Sequence, residues 1–259
     1  MFPSRFEQKF LLDDASAARL EGAIAARLDR DRHSGADARY LVESHYFDSP
    51  DRQCYWEKQR RLKSRRKIRV RFYGPPDAGF PASAFLEVKH KHFGVGGKRR
   101  IPLPVATALR CAAGDLAALT ALGDAGGRHA RIVLAEVLDL VAQFGHRPVV
   151  TIRYQRTALV SDDTHLRVTF DRSLECRPLP AADGDRPPAP LRPILDTPCT
   201  IMEVKSVGPV PYWLRDLAGD AALTRSRFSK FCAALEHHDP VLRRQRLPSN
   251  PAPQPVLPS

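Results

Sequence analysis

The segment RRKIRVRFYG, residues 65–74, alternates cations and apolar side chains with a period of two. Because successive side chains of a β-strand point to opposite faces of the sheet, this alternation predicts a strand. One face carries cations and the other apolar side chains: Lys67, Arg69 and Arg71 against Ile68, Val70 and Phe72. The apolar face requires a core, and the basic face requires water or an anion because buried unpaired charge is costly.

Four further segments repeat the pattern of one ionic and one apolar face. They are RFEQK (5–9), FLEVKHK (85–91), HLRVTFD (165–171) and IMEVKS (201–206). A wet antiparallel sheet face explains any single strand of this kind. The whole set, in which cations outnumber carboxylates, together with several amphipathic helices, favours an α+β protein. We expect a closed antiparallel β-barrel with the helices packed outside and the ionic faces lining its interior.

Helical patterns occupy the intervals between these strands. The first is predicted at 13–30, capped by Asp13 or Asp14, with an apolar stripe of Leu20, Ile24 and Leu28. Two short helices are predicted before and after Gly114, a longer one ending at Gly145, and two more at 211–217 and 226–237. Residues 1–246 are predicted to form one domain, and the Pro-rich residues 247–259 a disordered tail.

The charge balance indicates a polyanionic partner. Lys and Arg total 41 against 29 Asp and Glu, which gives a formal net charge of +12. No apolar run reaches the roughly 18 residues of a membrane span, and the N-terminus lacks a signal-peptide pattern, so a cytoplasmic protein is expected. Five scattered cysteines without a CxxC pair argue against a disulfide framework or a cysteine-rich zinc site.

Phosphate chains match a basic interior better than other anions do. Each phosphoryl group is negative and offers several acceptor oxygens to Arg and Lys. The few carboxylates on the ionic faces then suit Mg²⁺ or Mn²⁺, hard ions that bridge carboxylate and phosphate oxygens.

Eight segments of the chain, taken together and in this order, resemble the VTC-type polyphosphate polymerase domain, a branch of the triphosphate tunnel metalloenzymes. The segments are RFEQKF, SHYFDSPDRQCYWEK, KIRVRFYG, FLEVKHK, YQRTAL, LRVTFD, IMEVKS and RSRFSKF. The resemblance implies a barrel of about eight strands around a basic tunnel. It also implies metal-dependent transfer of the γ-phosphate of ATP, or of another nucleoside triphosphate, onto a growing polyphosphate chain.

The same resemblance assigns roles to individual residues. The positions that act on the transferred phosphate are Arg69, Arg71, Lys89 and Arg167. Further phosphate-binding positions are Lys9, Arg156, Lys205, Lys230, Ser229 and either Lys98 or Arg99, of which Arg99 is chosen. The metal is assigned to Glu203, with Glu7 as a second ligand.

Two points of the match stay open. Arg5 stands where the wider superfamily often has the first Glu of an ExExK motif, which leaves fewer carboxylates for a metal. In TIRYQRTAL, alternation puts Arg153 and Arg156 on different faces without showing which face is internal.

Two other functions remain open from the sequence. The same tunnel serves a triphosphate hydrolase if water replaces phosphate as the acceptor. A non-catalytic polyphosphate or nucleic-acid binder is the second alternative. Nucleic acid is not expected, because Phe72, Phe85 and Phe170 fall at strand positions typical of a core rather than of exposed stacking platforms.

Overall fold

The computed structural model describes residues 5–31, 39–75, 81–120, 122, 127–179, 189–221 and 223–246. The predicted tail, 247–259, lies outside these residues. The strands are β1 (Arg5–Leu12), β2 (Asp29–Arg30), β3 (Tyr40–Asp48), β4 (Ser64–Gly74), β5 (Ser83–His92), β6 (Val95–Leu103), β7 (Arg147–Ser161), β8 (Leu166–Pro178), β9 (Arg192–Pro193) and β10 (Thr200–Val207). The helices are α1 (Asp14–Ala25), α2 (Gln53–Gln59), α3 (Val105–Ala112), α4 (Ala117–Thr120), α5 (Gly127–Phe144), α6 (Tyr212–Asp220), α7 (Lys230–His238) and α8 (Pro240–Arg244).

The strands form one large antiparallel sheet in the order β1-β10-β8-β7-β3-β4-β5-β6, with β2 and β9 attached to β7 and β8. The predicted α+β class with a large antiparallel sheet and helices is therefore confirmed. No pairing joins β1 to β6 in the described ranges, and closure of the barrel by hydrogen bonds stays a prediction.

The sheet curls so that the ionic faces of its two ends approach each other. Lys89 on β5 is close enough to Glu7 on β1 and Lys205 on β10 for both charges to act on its pKa. Tyr46 on β3 likewise acts on Lys9 of β1. We call the concave ionic side the inner face and the opposite side the outer face.

Two helical layers cover the outer face. α1 and α6 cover β1, β10 and β8, where Leu20 and Ile24 belong to one buried cluster with Phe170 and Met202. α3, α4 and α5 cover β4, β5 and β6 in a second cluster. The apolar side chains predicted for this face are buried, with Ile68 and Val70 at 0% exposure and Phe72 at 4%.

A third core cluster lies on the inner face and was not expected from the sequence. α7 packs there against β3 and β7, and Phe231 and Tyr46 have ring centroids 5.3 Å apart. Phe231 also receives the ammonium of Lys67, whose Nζ lies 3.9 Å from the ring centroid. The inner space is therefore apolar where α7 enters it and ionic beyond.

Local signals set most helix boundaries. Asp13, not Asp14, is the N-cap of α1 and accepts a hydrogen bond of 2.8 Å from Ser16 N. The predicted helix at 226–237 begins only at Lys230, because Ser229 is its N-cap and Ser226 N donates instead to Lys9 O at 2.7 Å. α2 was not predicted. In its first turn, the amide of Gln53 donates to Ser49 Oγ, and those of Cys54 and Tyr55 donate to the Asp48 carboxylate.

Candidate functional site

The antiparallel register brings basic residues onto the inner face from seven strands. Arg69 pairs with Glu87, Lys67 with Lys89, and Lys9 with Glu203. The cations on this face are Lys9, Arg65, Lys67, Arg69, Arg71, Lys89, Lys91, Lys98, Arg100, Arg156, Arg167 and Lys205, joined by Lys230 from α7. The carboxylates are Glu7, Glu87, Asp171 and Glu203, and Asp31 contacts Arg167 from the segment after β2.

Arg69 is held by a carboxylate that the sequence did not single out. Its Nε donates to Glu87 Oε2 at 2.6 Å, and its Nη1 donates to Tyr46 OH at 2.8 Å. Glu87 is fully buried and also meets Lys98 Nζ at 3.3 Å. Burial by itself raises the pKa of Glu87, but the charges of Arg69, Arg71 and Lys98 hold that pKa well below its usual value. Glu87 shares the face of Lys89, and that alternation was the signal available for finding it.

Arg71 is buried without a carboxylate partner among the described residues. Its exposure is 6%, and its guanidinium donates to two hydroxyls, Ser44 Oγ at 2.9 Å and Tyr154 OH at 2.7 Å. These partners satisfy hydrogen bonds but bring no negative charge. A buried guanidinium that forms no ion pair favours the binding of an anion.

The pKa values of two titratable groups near Arg69 are shifted. Partial removal from water, followed by the charges of Arg69 and Lys205, lowers the pKa of Lys89 to about 8. Burial raises the pKa of Tyr46, but the charges of Arg69, Arg71 and Lys89 outweigh it and lower that pKa to about 7. The pKa shift of Tyr46 indicates a strongly positive local potential, and the charges of Arg69 and Lys205 add to the effect of desolvation at Lys89.

Asp171 forms a buried ion cluster that sequence reasoning missed. Arg156 donates to its two oxygens at 2.6 and 2.7 Å, and Lys230 Nζ lies 2.5 Å from Oδ2. Burial raises the pKa of Asp171, while the charges of Arg156 and Lys230 lower it to about 2. Arg153, by contrast, lies on the outer face and pairs with Glu43 at 2.6 Å. Of the two arginines left open by alternation, Arg156 is therefore the internal one.

The two predicted metal ligands, Glu203 and Glu7, both lie near the ammonium group of Lys205. Lys205 Nζ lies 2.9 Å from Glu203 Oε1 and 4.0 Å from Glu7 Oε2. Glu7 also pairs with Lys9 at 3.2 Å. Burial raises the pKa of Glu203, but Lys205, Lys9, Arg156 and Lys230 hold it well below its usual value, so the carboxylate is ionised.

This pair of carboxylates fits a hard divalent cation. The ammonium of Lys205 marks a position between them where positive charge is already stabilised. Among the described residues, the two groups of three possible ligand atoms, Cys176 with His237 and His238 and Asp48 with Cys54 and His146, include neither Glu203 nor Glu7. Mg²⁺ commonly binds through one or two carboxylates and completes its shell with water and substrate phosphates. Glu203 and Glu7 suit that mode of binding.

The remaining predicted residues divide between the two faces. Arg167 lies on the inner face, where it pairs with Asp31 at 2.5 Å and donates to Tyr40 OH at 3.3 Å. Ser229 Oγ accepts the Cys232 amide as a helix cap, and its contact with phosphate stays a prediction. Arg99 was placed wrongly, because the register turns it to the outer face, where it pairs with Glu136 at 3.1 Å. Its neighbour Lys98 takes the inner position.

Comparisons with known proteins agree with this architecture. The model of the VTC domain family matches residues 4–238. No curated protein matches the chain. No helix of the described residues is long and apolar enough to cross a membrane.

Three solved structures are similar to this chain at low sequence identity. A candidate adenylyl cyclase from Hippeastrum, described as having a dominant triphosphatase activity, has 16% identity and a TM-score of 0.51, covering 94% of this chain and 97% of its own. A candidate adenylate cyclase from Bacillus halodurans has 14% identity and a TM-score of 0.49, covering 88% and 94%. A protein from Pyrococcus horikoshii has 12% identity and a TM-score of 0.45, covering 90% and 99%.

Proposed function

We propose that this chain, which belongs to the VTC domain family, transfers the γ-phosphate of ATP or another nucleoside triphosphate onto a growing inorganic polyphosphate chain. The observation that carries the proposal is the buried guanidinium of Arg71, which donates to Ser44 and Tyr154 and forms no ion pair with a carboxylate among the described residues. A triphosphate or polyphosphate supplies the missing negative charge, and its chain of phosphoryl groups matches a row of cations rather than a single one.

The curl of the sheet supports a tunnel around that row. Lys89 and Lys205 lie on strands near opposite ends of the sheet, yet each contributes to one electrostatic environment. We infer a closed basic tunnel, with β1 and β6 completing its wall. Lys9, Arg156, Lys205, Lys230 and Ser229 then bind phosphates along its length.

Phosphoryl transfer depends mainly on positioning and on charge stabilisation. In the proposed reaction, Arg69, Arg71, Lys89 and Arg167 hold the triphosphate of the nucleotide. An oxygen of the terminal phosphate of the acceptor attacks the γ-phosphorus in line. The bond from the γ-phosphorus to the β–γ bridging oxygen breaks, and the nucleoside diphosphate leaves with that oxygen. No protein nucleophile is required.

Glu203 and Glu7 would hold the divalent cation, Mn²⁺ or Mg²⁺. When bound, this ion neutralises charge on phosphate oxygens. The contribution of the chain itself is to keep Glu203 ionised, which the surrounding Lys205, Lys9, Arg156 and Lys230 do. The same cations neutralise the negative charge of Glu203 when no metal ion is bound.

Incubation with ATP and Mn²⁺, followed by separation of long polymer from orthophosphate, tests the proposal. We expect polymer and nucleoside diphosphate from the wild type and a loss of polymer of at least about a hundredfold in Arg71→Ala, because a charge-assisted contact in a water-poor site is removed. Arg71→Ala is preferable to Arg69→Ala, because removing Arg69 also leaves the buried Glu87 without its arginine partner. Arg99→Ala, on the outer face, is the matched control.

The products of this assay also distinguish polymer synthesis from its nearest alternative, triphosphate hydrolysis. Orthophosphate in place of polymer would assign the tunnel to a triphosphate hydrolase, the activity described for the Hippeastrum protein. Unchanged polymer formation in Arg71→Ala would contradict the site, and tripolyphosphate binding without either product would leave a binding module.

A further inference from the structure

Two exposed segments form a protrusion at one end of the sheet, which we call the basic tip. It comprises residues 60–65, the connection from α2 with the first two residues of β4, and residues 91–99, the turn of the β5–β6 hairpin with the adjoining strand ends. The segments lie side by side because Ser64 pairs with His92 and Phe93 N donates to Lys63 O at 2.8 Å.

The tip exposes three large apolar side chains. Leu62, Phe93 and Val95 have exposures of 46%, 66% and 74%. Single exposed apolar residues are ordinary, but three on adjoining segments form a patch of the kind that marks an interaction surface.

Phe93 is also held in a strained backbone conformation. Phe93 and Gly94 occupy the two central turn positions between His92 and Val95, with φ of 46° and 88°. Hairpin turns with two left-handed residues strongly favour Asn-Gly, whereas a bulky aromatic residue rarely adopts this conformation. The chain therefore keeps an aromatic ring at the apex where Asn would fold more easily, which points to a role for the ring outside folding.

Cations surround this apolar patch. The tip contains Arg60, Arg61, Lys63, Arg65, Lys91, Lys98 and Arg99. The sequence has no Asp or Glu between Glu57 and Asp77, or between Glu87 and Asp115. Among the described residues, ion pairs reach only two of these cations, Lys98 through Glu87 and Arg99 through Glu136. Lys63 Nζ lies 5.5 Å from the centroid of the Phe93 ring, so charge and apolar surface are adjacent.

We propose that the basic tip docks on the surface of an anionic lipid bilayer. Phe93, Val95 and Leu62 enter the boundary between headgroups and acyl chains, and the surrounding cations contact the anionic headgroups. A soluble polyphosphate would contact the cations but offers no apolar surface to the exposed apolar side chains. We therefore infer that the partner is a bilayer. Lys91 and Lys98 also line the inner face, so docking turns that end of the inner face toward the membrane. This proposal does not depend on the polymerase reaction.

Co-sedimentation of the full chain with lipid vesicles tests this docking. We expect binding to phosphatidylcholine vesicles that contain phosphatidylserine, weaker binding as salt increases, and little binding to phosphatidylcholine alone. Phe93→Asn is the informative variant, because Asn-Gly relieves the strained turn. We expect it to raise the melting temperature and yet to lower vesicle affinity about tenfold.

A second variant tests the cations. Lys63→Ala with Lys91→Ala should lower vesicle affinity about 30-fold, the equivalent of about 1 kcal/mol for each cation near an anionic surface. Matched controls lie elsewhere on the surface: Tyr212→Asn, whose side chain is 79% exposed on α6, and Arg243→Ala with Arg244→Ala on α8. Neither control should change binding.

Vesicle binding by Phe93→Asn equal to that of the wild type would overturn the proposal, as would equal binding of the wild type to neutral and anionic vesicles. Tripolyphosphate binding distinguishes lipid headgroups from a soluble polyanion as the negative charge that the basic tip binds. It should be unchanged in Phe93→Asn. An equal loss of tripolyphosphate affinity in that variant would assign the tip to a soluble polyanion and contradict membrane docking.

Discussion

Asp171 on β8 and Arg156 on β7 form a two-point ion pair inside the sheet, with Arg156 Nε and Nη2 at 2.6 and 2.7 Å from the two carboxylate oxygens. Lys230 adds a second cation from α7. The cluster thus fastens α7 to the inner face. It also leaves one carboxylate between two cations, so a net positive charge faces the interior.

Asp171→Asn should destabilise the fold by about 3 kcal/mol, since removing one partner of a buried ion pair leaves uncompensated charge. Chemical denaturation measures the change, and Asp163→Asn in the exposed β7–β8 turn is the control. Tripolyphosphate should stabilise the variant more than the wild type, because its negative charge replaces that of Asp171. A variant as stable as the control would contradict this account.

The same carboxylate predicts part of the acid sensitivity. The folded-state pKa of Asp171 is about 2, below its ordinary value of 3.8. Its stabilising effect is therefore fully present above about pH 4 and is lost as pH falls through about 2. Denaturation at a series of pH values should show a smaller acid-induced loss of stability in Asp171→Asn than in the wild type over this range.

Lys89 predicts how triphosphate binding depends on pH. Its pKa is about 8 in the folded protein, below the ordinary 10.5, because it is partly removed from water and lies near Arg69 and Lys205. A bound polyanion raises that pKa, so binding takes up a proton between about pH 8 and 10.5, and affinity falls as pH rises through that window.

Lys89→Arg isolates this contribution, since a guanidinium stays charged throughout. Calorimetric titration with tripolyphosphate from pH 7 to 10 should show a flatter pH dependence in the variant than in the wild type. Superimposable curves would show that Lys89 does not contact the phosphate.

Lys98 and Arg99 provide a paired test of the inner face. Lys98→Ala should weaken tripolyphosphate binding about tenfold, the value of one charge-assisted contact. Arg99→Ala should change it less than twofold, because Arg99 faces α5 and pairs with Glu136. Binding isotherms of the two variants decide the matter, and a reversed order would contradict the register of β5 and β6.

Glu203→Gln tests the metal assignment while keeping the side-chain shape. Turnover with Mn²⁺ should fall about a hundredfold or more, whereas tripolyphosphate binding in the absence of metal should be unchanged or tighter, because a repelling carboxylate is neutralised. Loss of metal-free binding instead would indicate that Glu203 only orients Lys205.

The sequence by itself determined the two faces of each strand. Period-two alternation is a local property of extended backbone, so it was enough to assign Arg69 and Arg71 to one side and Ile68 and Val70 to the other. The first helix, its cap at Asp13 or Asp14 and the hairpin near Gly94 followed from equally local signals.

The tertiary structure alone decided which charges meet. Asp171 lies 15 residues from Arg156 and 59 from Lys230, and Glu87 lies 18 from Arg69. Such pairs depend on strand register and on where α7 docks, which alternation does not encode. Arg99 was misplaced for the same reason, because in the basic run 98–100 each single step along the strand reverses the face. The sequence thus determined that a basic face exists, and the register determined which residues belong to it.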